Sequence, residues 1–299
     1  MAWEAAAVRL AAREDGCVII DGGLSNALAD RGHVLADDLW TARLLRDAPE
    51  EIVAVHRAYF EAGAHVATTA SYQASVPGFV AAGLSEAEAE RLIVRSVELA
   101  REAAMGFPGT QVAASVGPYG AVLGDGSEYR GRYGLTTTQL RDFHRPRLEL
   151  LLSAGPDLLA VETIPDIDEA AVVAALIDEY KTLAWLSYTI SDGLTRAGQP
   201  LEDAFAVSAG IDSIIATGVN CCAPADVLSA VEIAVSASGK PAIAYPNAGE
   251  TWDADNHAWV GTSSYDLTLV PSWRAAGAVH LGGCCRIGPD TIRALAALG

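Results

Sequence analysis

Two cysteine pairs carry the most chemistry in this chain. Cys284 and Cys285 close the run His280-Leu-Gly-Gly-Cys-Cys, and Cys221 and Cys222 close Gly218-Val-Asn-Cys-Cys, so four of the five cysteines end an apolar, strand-like segment. Adjacent cysteines behind two glycines are hard to explain by packing alone. Neighbouring residues of a strand point to opposite faces, but glycine permits backbone angles closed to other residues. Gly282 and Gly283 therefore predict a turn that aims both Cys284 and Cys285 at one point, with Cys221 supplying a third sulfur. Three thiolates plus an open fourth position form the donor set of a catalytic zinc site, with Zn–S distances of about 2.3 Å. Plainer roles stay open. Free cysteine is often a small core filler, and the spacing matches none of the short-range zinc-finger patterns. A disulfide is disfavoured in a reduced compartment. Cys222, aimed away by strand alternation, and Cys17, at the start of an apolar strand, read as packing residues.

A scaffold must bring these distant points together. Short apolar runs read as strands at 17–23, 65–70, 111–116, 158–164, 183–190, 213–219, 241–245 and 278–281, and helical patterns alternate with them at 50–62, 85–104, 137–154, 166–180, 202–209, 225–236, 265–276 and 289–298. Ser85 and Glu88 predict a capping box, and Pro146 predicts a kink or a late start in its helix. Continuous apolar strands separated by amphipathic helices indicate a parallel sheet covered by helices. Eight such units close most naturally into an α/β fold of the (β/α)8 TIM-barrel type, here one domain over 1–299 with a short N-terminal helix. A doubly wound open sheet is the alternative, but no G-x-G-x-x-G follows an early strand. In a barrel, Asp21, Glu162, Cys221, Asn247, Cys284 and Cys285 all fall at or near strand C-terminal ends, where barrel chemistry is placed. Closure sets the last strand beside the first, and so Asp21 near the cysteine pair. The 24–48 connection is long enough to fold over the site mouth. The glycine- and tyrosine-rich 117–134 stretch reads as a mobile or ligand-covering loop, or a plain surface loop.

Composition narrows the partners. With 299 residues, 51% of them hydrophobic, the chain buries a large core, and 20 Lys+Arg against 38 Asp+Glu leave a net charge of −18. Such a surface repels nucleic acid and anionic membranes. The first residues lack the apolar core of a secretory signal, and no apolar stretch is long enough to span a bilayer. A cytoplasmic location is expected.

Taken together, Asp21-Gly-Gly, Thr68-Thr-Ala-Ser-Tyr-Gln73, Gly117-Pro-Tyr-Gly120, Gly126-Ser-Glu-Tyr-Arg-Gly131, Glu162-Thr-Ile-Pro165, Val219-Asn-Cys-Cys222, Tyr245-Pro-Asn-Ala-Gly-Glu250 and Gly282-Gly-Cys-Cys285 resemble the homocysteine S-methyltransferase family over nearly the whole chain. Any one motif is weak; the ordered set is specific. The chain looks most like the single-domain members that use S-methylmethionine or S-adenosylmethionine, and no appended cobalamin or folate module is expected. The resemblance implies that homocysteine enters the fourth zinc position as a thiolate and attacks the methyl carbon of a sulfonium donor, giving methionine. It also implies that Asp21 and Glu162 grip the substrate amino group, that amides near Gly22 orient its carboxylate, and that Asn247 ligates zinc when substrate is absent or acts in the shell that tunes the metal.

Each residue has a plainer alternative: turn capping for Asp21, a buried salt bridge to arginine for Glu162, turn formation for Asn247, and core packing for His280. Tyr72, Tyr119, Tyr129 and Trp252 are candidates for the walls around a cationic donor, or packing aromatics. Methylation of selenocysteine or another thiol, and a non-catalytic zinc or redox-sensing barrel, are the alternative functions. A Schiff-base enzyme needs a lysine at a strand C-terminal end, whereas Lys181 and Lys240 both precede strands. A zinc hydrolase would recruit paired histidines, and none are found. The Gly282-Gly283 turn also leaves phosphate binding open.

Overall fold

The structure is a computed structural model that describes residues 17–33, 43–253 and 258–298. The expected N-terminal helix, part of the 24–48 connection and the side chain of Trp252 lie outside the described residues.

Eight parallel strands form the sheet: β1 (Val18–Ile19), β2 (Val66–Thr68), β3 (Gln111–Val116), β4 (Leu158–Ile164), β5 (Ala184–Tyr188), β6 (Ile214–Asn220), β7 (Ala242–Tyr245) and β8 (Ala278–Leu281). Their order is β1-β8-β7-β6-β5-β4-β3-β2. Ile20 bridges Val66 in parallel, and the His65 amide donates to the Ile19 carbonyl at 2.7 Å and the Asp21 amide to the Val66 carbonyl at 3.0 Å, which closes the barrel. Alternation divides the core in two. Val18, Ile20, Val66, Ala113, Leu158, Ala160, Trp185, Ala216, Ile243 and Tyr245 pack inside the barrel, while the intervening Ile19, Val112, Ala114, Leu159, Val161 and Leu186 pack against the helices. Burial on both faces is why the strands read as unbroken apolar runs.

The outer layer comprises α1 (Leu24–Asp30), α2 (Pro49–Glu61), α3 (Glu86–Ala104), α4 (Thr137–Ser153), α5 (Ile167–Tyr180), α6 (Leu201–Ala206), α7 (Val227–Ser238), α8 (Val270–Ala275) and α9 (Pro289–Ala296), with shorter helices between them. The Ser85–Glu88 capping box of α3 is present. Pro146 does not delay α4: a second capping box, Thr136 with Gln139, fixes the start at Thr137, and the helix runs through the proline. The pattern at 265–276 begins as a 3-10 turn, Leu267–Leu269, capped by Asp266, before α8. The 117–134 stretch carries a helix, Tyr119–Leu123, and a 3-10 turn, Ser127–Tyr129. Glu169 of α5 accepts from the Tyr119 amide at 2.6 Å, and Arg147 of α4 donates to the Gly117 carbonyl at 2.9 Å. Among the described residues, no helix is long and apolar enough to cross a membrane.

Candidate active site

At the C-terminal rim, the Sγ atoms of Cys221, Cys284 and Cys285 all lie within 4.8 Å of one another. Thiolates at about 2.3 Å from a tetrahedral zinc would sit roughly 3.8 Å apart, a spacing the three side chains reach only when Cys221 and Cys284 are both reduced thiols. The Cys221 and Cys284 sulfurs are joined in a disulfide, with their Cα atoms 5.6 Å apart, and Cys285 remains free beside them. A disulfide was disfavoured on sequence grounds; the pair that closes links the two motifs rather than adjacent cysteines. The same two sulfurs serve either the bond or an ion. Cys222 is buried in the outer core, where burial pushes its thiol well up, and Cys17 is buried there too. Both are packing residues, as alternation indicates.

The backbone solution differs from the one expected. Neither Gly282 nor Gly283 takes a left-handed angle; within the two cysteine turns the left-handed residues are Cys221, at φ 48°, and Arg286, at φ 68°. The glycines are needed for space. A Cβ on Gly282 would lie 2.9 Å from the Asp21 carbonyl oxygen, and one on Gly283 would lie 2.1 Å from Cγ2 of Ile287. The β8 turn thus lies flat against β1, and the Gly283 amide donates to the Asp21 carbonyl at 3.1 Å.

Asn247 ties both cysteine turns together. Its amide donates to the Cys222 carbonyl at 3.0 Å, and its Oδ1 accepts from the Cys285 amide at 3.1 Å. That engagement makes it a positioning residue for the cysteines.

The expected carboxylates face the same mouth. Asp21 is buried and accepts from the Thr68 amide at 2.8 Å and the Thr68 hydroxyl at 2.7 Å. Burial raises its carboxyl well above the usual range, with the neighbouring charge of Glu162 adding to the effect. Gly22 admits no side chain, since a Cβ would lie 2.2 Å from the Ile287 carbonyl oxygen and 2.9 Å from the Tyr59 ring. The Gly23 amide is engaged by that same carbonyl at 2.9 Å.

Glu162 pairs with hydroxyls rather than an arginine. Ser115 donates to Oε1, Tyr245 donates to Oε2 at 3.1 Å, and burial pushes the carboxyl up to about 6.

A polar girdle continues round the rim. Tyr245 accepts from the Trp185 indole at 3.0 Å and lies 2.7 Å from the Ser187 hydroxyl, which donates to Asn220 Oδ1 at 2.8 Å. Asn220 then clamps Thr163, accepting from its amide and donating to its hydroxyl, both at 2.7 Å. Thr163 sits at φ 61°, a conformation that costs a β-branched residue about 1–3 kcal/mol. These polar residues were missed because a lone serine, asparagine or tyrosine in an apolar strand has no periodic signature. Their signal is parity: each takes an inward position one layer above the apolar interior.

Arg147 was also missed. Buried on α4, it donates to the carbonyls of Ser71, Tyr72 and Gly117, binding the segments after β2 and β3 to each other. Of the aromatic candidates, Tyr72 lies close enough to the site for burial and the charge of Glu162 to raise its hydroxyl pKa, and Tyr129 close enough for Cys285 and Glu128 to do the same. Tyr119 instead packs on Phe143 and Tyr133, at centroid distances of 5.0 and 5.4 Å. His280 is buried, and burial lowers it to about 4; it is a core residue.

Known proteins resemble the chain in overall sequence and fold. The profile of the family described as homocysteine S-methyltransferase matches residues 18–298. Homocysteine S-methyltransferase 4 of Zea mays is 44% identical, covering 94% of this chain and 89% of its own. The homocysteine methyltransferase MmuM from Escherichia coli is 41% identical in both its metallated and its oxidized crystal forms. The metallated form superimposes with a TM-score of 0.87 over 96% of this chain and 97% of that one, and the oxidized form with 0.88 over 98% and 99%. The chain therefore belongs to the homocysteine S-methyltransferase family.

Proposed function

We propose that this protein transfers a methyl group from a sulfonium compound, S-methylmethionine or S-adenosylmethionine, to the sulfur of homocysteine, giving methionine, with zinc held by Cys221, Cys284 and Cys285. The observation that carries the proposal is the convergence of three sulfurs from two distant motifs within 4.8 Å of one another. The metallated form of the MmuM relative supports it. Bound there, zinc would keep a coordinated thiol ionised at neutral pH.

The chain's own residues supply the rest. Burial pushes the free Cys285 thiol up to about 11, so without a cation this sulfur stays protonated. Asp21 and Glu162 offer two buried carboxylates to one substrate ammonium, and Ser115 and Tyr245 orient the second. Asn247 holds the cysteine turn, and the enclosing girdle keeps water from the reacting sulfur. The donor leaves as a neutral thioether, so no general acid is required.

The test is zinc stoichiometry together with methionine formation from homocysteine and each sulfonium donor. For protein kept under a thiol reductant, which opens the Cys221–Cys284 bond, one zinc per chain and turnover with at least one donor are expected, and Cys221→Ser, Cys284→Ser and Cys285→Ser should each lose both while remaining folded. Wild-type turnover by any of the three variants would remove that cysteine from the metal site.

A further inference from the structure

The motif Gly126-Ser-Glu-Tyr-Arg-Gly131 contains a carboxylate that the proposed chemistry does not use. Glu128 sits on the 3-10 turn Ser127–Tyr129, and its Oε2 is buried without a hydrogen-bond partner among the described residues. It forms no ion pair among them either. The nearby Arg130 is spent on Asp125, at 3.3 Å, and on the Ser127 hydroxyl, at 2.8 Å, and its side chain is 63% exposed. The turn is firmly seated. A Cβ on Gly120 would lie 2.6 Å from the Glu128 amide nitrogen, and Asp125 accepts from the Ser127 amide at 2.9 Å.

Glu128 shares a neighbourhood with the cysteine site. Its charge acts on Cys285, Tyr72 and Tyr129, the last of which already carries the Arg196 guanidinium over its ring at 5.6 Å. A half-buried carboxylate with one oxygen enclosed and unpaired is costly, and it becomes favourable when a cation arrives. Asp21 and Glu162 already serve the amino group of the thiol substrate, which leaves the methyl donor as the positive species without a counter-charge. Aromatic faces beside a carboxylate suit such a cation.

We infer that Glu128, flanked by Tyr72 and Tyr129, recognises the positive charge of the sulfonium donor and so sets the donor affinity of the site. The inference rests on the methyl-transfer function proposed above.

Steady-state kinetics with donor and homocysteine varied separately test it, alongside calorimetric binding of S-methylmethionine and of neutral-side-chain methionine. Glu128→Gln should raise the donor KM about tenfold and weaken S-methylmethionine binding equally, while methionine affinity, homocysteine KM and the circular dichroism spectrum stay as in wild type. Glu128→Asp, which keeps the charge, should recover most of the loss. An unchanged donor KM in Glu128→Gln, or equal losses for both substrates in both variants, overturns the assignment while the transferase function stands. A wild-type enzyme that moves no methyl group from any sulfonium overturns the function itself, and the role given to Glu128 with it.

Discussion

Replacing Tyr245 by phenylalanine removes a single hydroxyl whose loss should be readable in a pH profile. That hydroxyl donates to Glu162 at 3.1 Å and accepts from the buried Trp185 indole at 3.0 Å. Leaving the indole N–H unpaired should cost about 1–3 kcal/mol of stability. The lost bond to the carboxylate favoured its ionised form by about 1.5–3 kcal/mol, which at about 1.4 kcal/mol per unit is a rise of roughly one to two pKa units. Glu162, pushed up to about 6 in the native protein, should then titrate near about 7.5. At pH 6.5 the ionised fraction would fall from about 75% to about 10%, close to an eightfold loss in kcat/KM for homocysteine, and by about pH 8.5 the two enzymes should converge. The assay is kcat/KM for homocysteine from pH 6 to 8.5 at saturating donor, taken as a ratio of variant to wild type so that the substrate's own titrations cancel. A ratio that stays flat across this range would refute the idea that an ionised Glu162 is what binds substrate.

Asn247→Ala removes the acceptor for the Cys285 amide and should weaken zinc binding about tenfold to a hundredfold in a chelator competition, with Asn247→Asp close to wild type. Gly283→Ala drives a Cβ to 2.1 Å from Ile287 and should cost about 1–3 kcal/mol in urea unfolding. It should also lower zinc occupancy, because the displaced Ile287 carbonyl holds Gly23 and Tyr59; Gly288→Ala, with open space around it, is the control expected to change neither. His56 and His280 are buried with both ring nitrogens unpaired among the described residues, and burial holds each down to about 4. The unfolded chain takes up those protons near pH 6.5 and the folded chain does not, so stability is full above that pH and is lost as pH falls toward 4, by about 2 kcal/mol per histidine at pH 5. The raised carboxyl of Glu162 acts in the opposite sense between about pH 6 and 4.5. The decisive comparison is therefore between wild type and His56→Leu, whose stability should drop about 2 kcal/mol less between pH 7 and 5; an equal drop in both would show that His56 is protonated in the folded state.

The eight strands were legible because each is buried on two faces, which forces a short apolar run between turn signals; helix α5 carries a comparable run at 170–177 and was told apart by its length and its Asp166 cap. The cysteines, Asp21 and Glu162 were legible as chemically expensive residues at the ends of such runs. Asn247 was visible as a residue but its partner was not, since nothing in Tyr245-Pro-Asn says that its side chain reaches the Cys285 amide, 38 positions away. The geometry of the cysteine turns was assigned to the wrong residues. Two glycines suggested unusual angles, yet they are there for close packing, and the unusual angle belongs to Cys221. Glu128 and Arg147 were illegible for a different reason: both look like surface charges on a loop and a helix, and only the tertiary fold buries Arg147 and encloses Oε2 of Glu128.

The first strand is only two residues long, and the ring of strands meets at the Ile20–Val66 bridge. Just above that seam the Asp21 side chain receives the Thr68 amide, standing in for the next main-chain acceptor in the ladder. The residue proposed to meet the substrate ammonium is thus also a stitch in the wall. Any redesign that retunes this carboxylate for a different guest will loosen or tighten the cylinder as well, and selectivity and cohesion at this point cannot be altered independently.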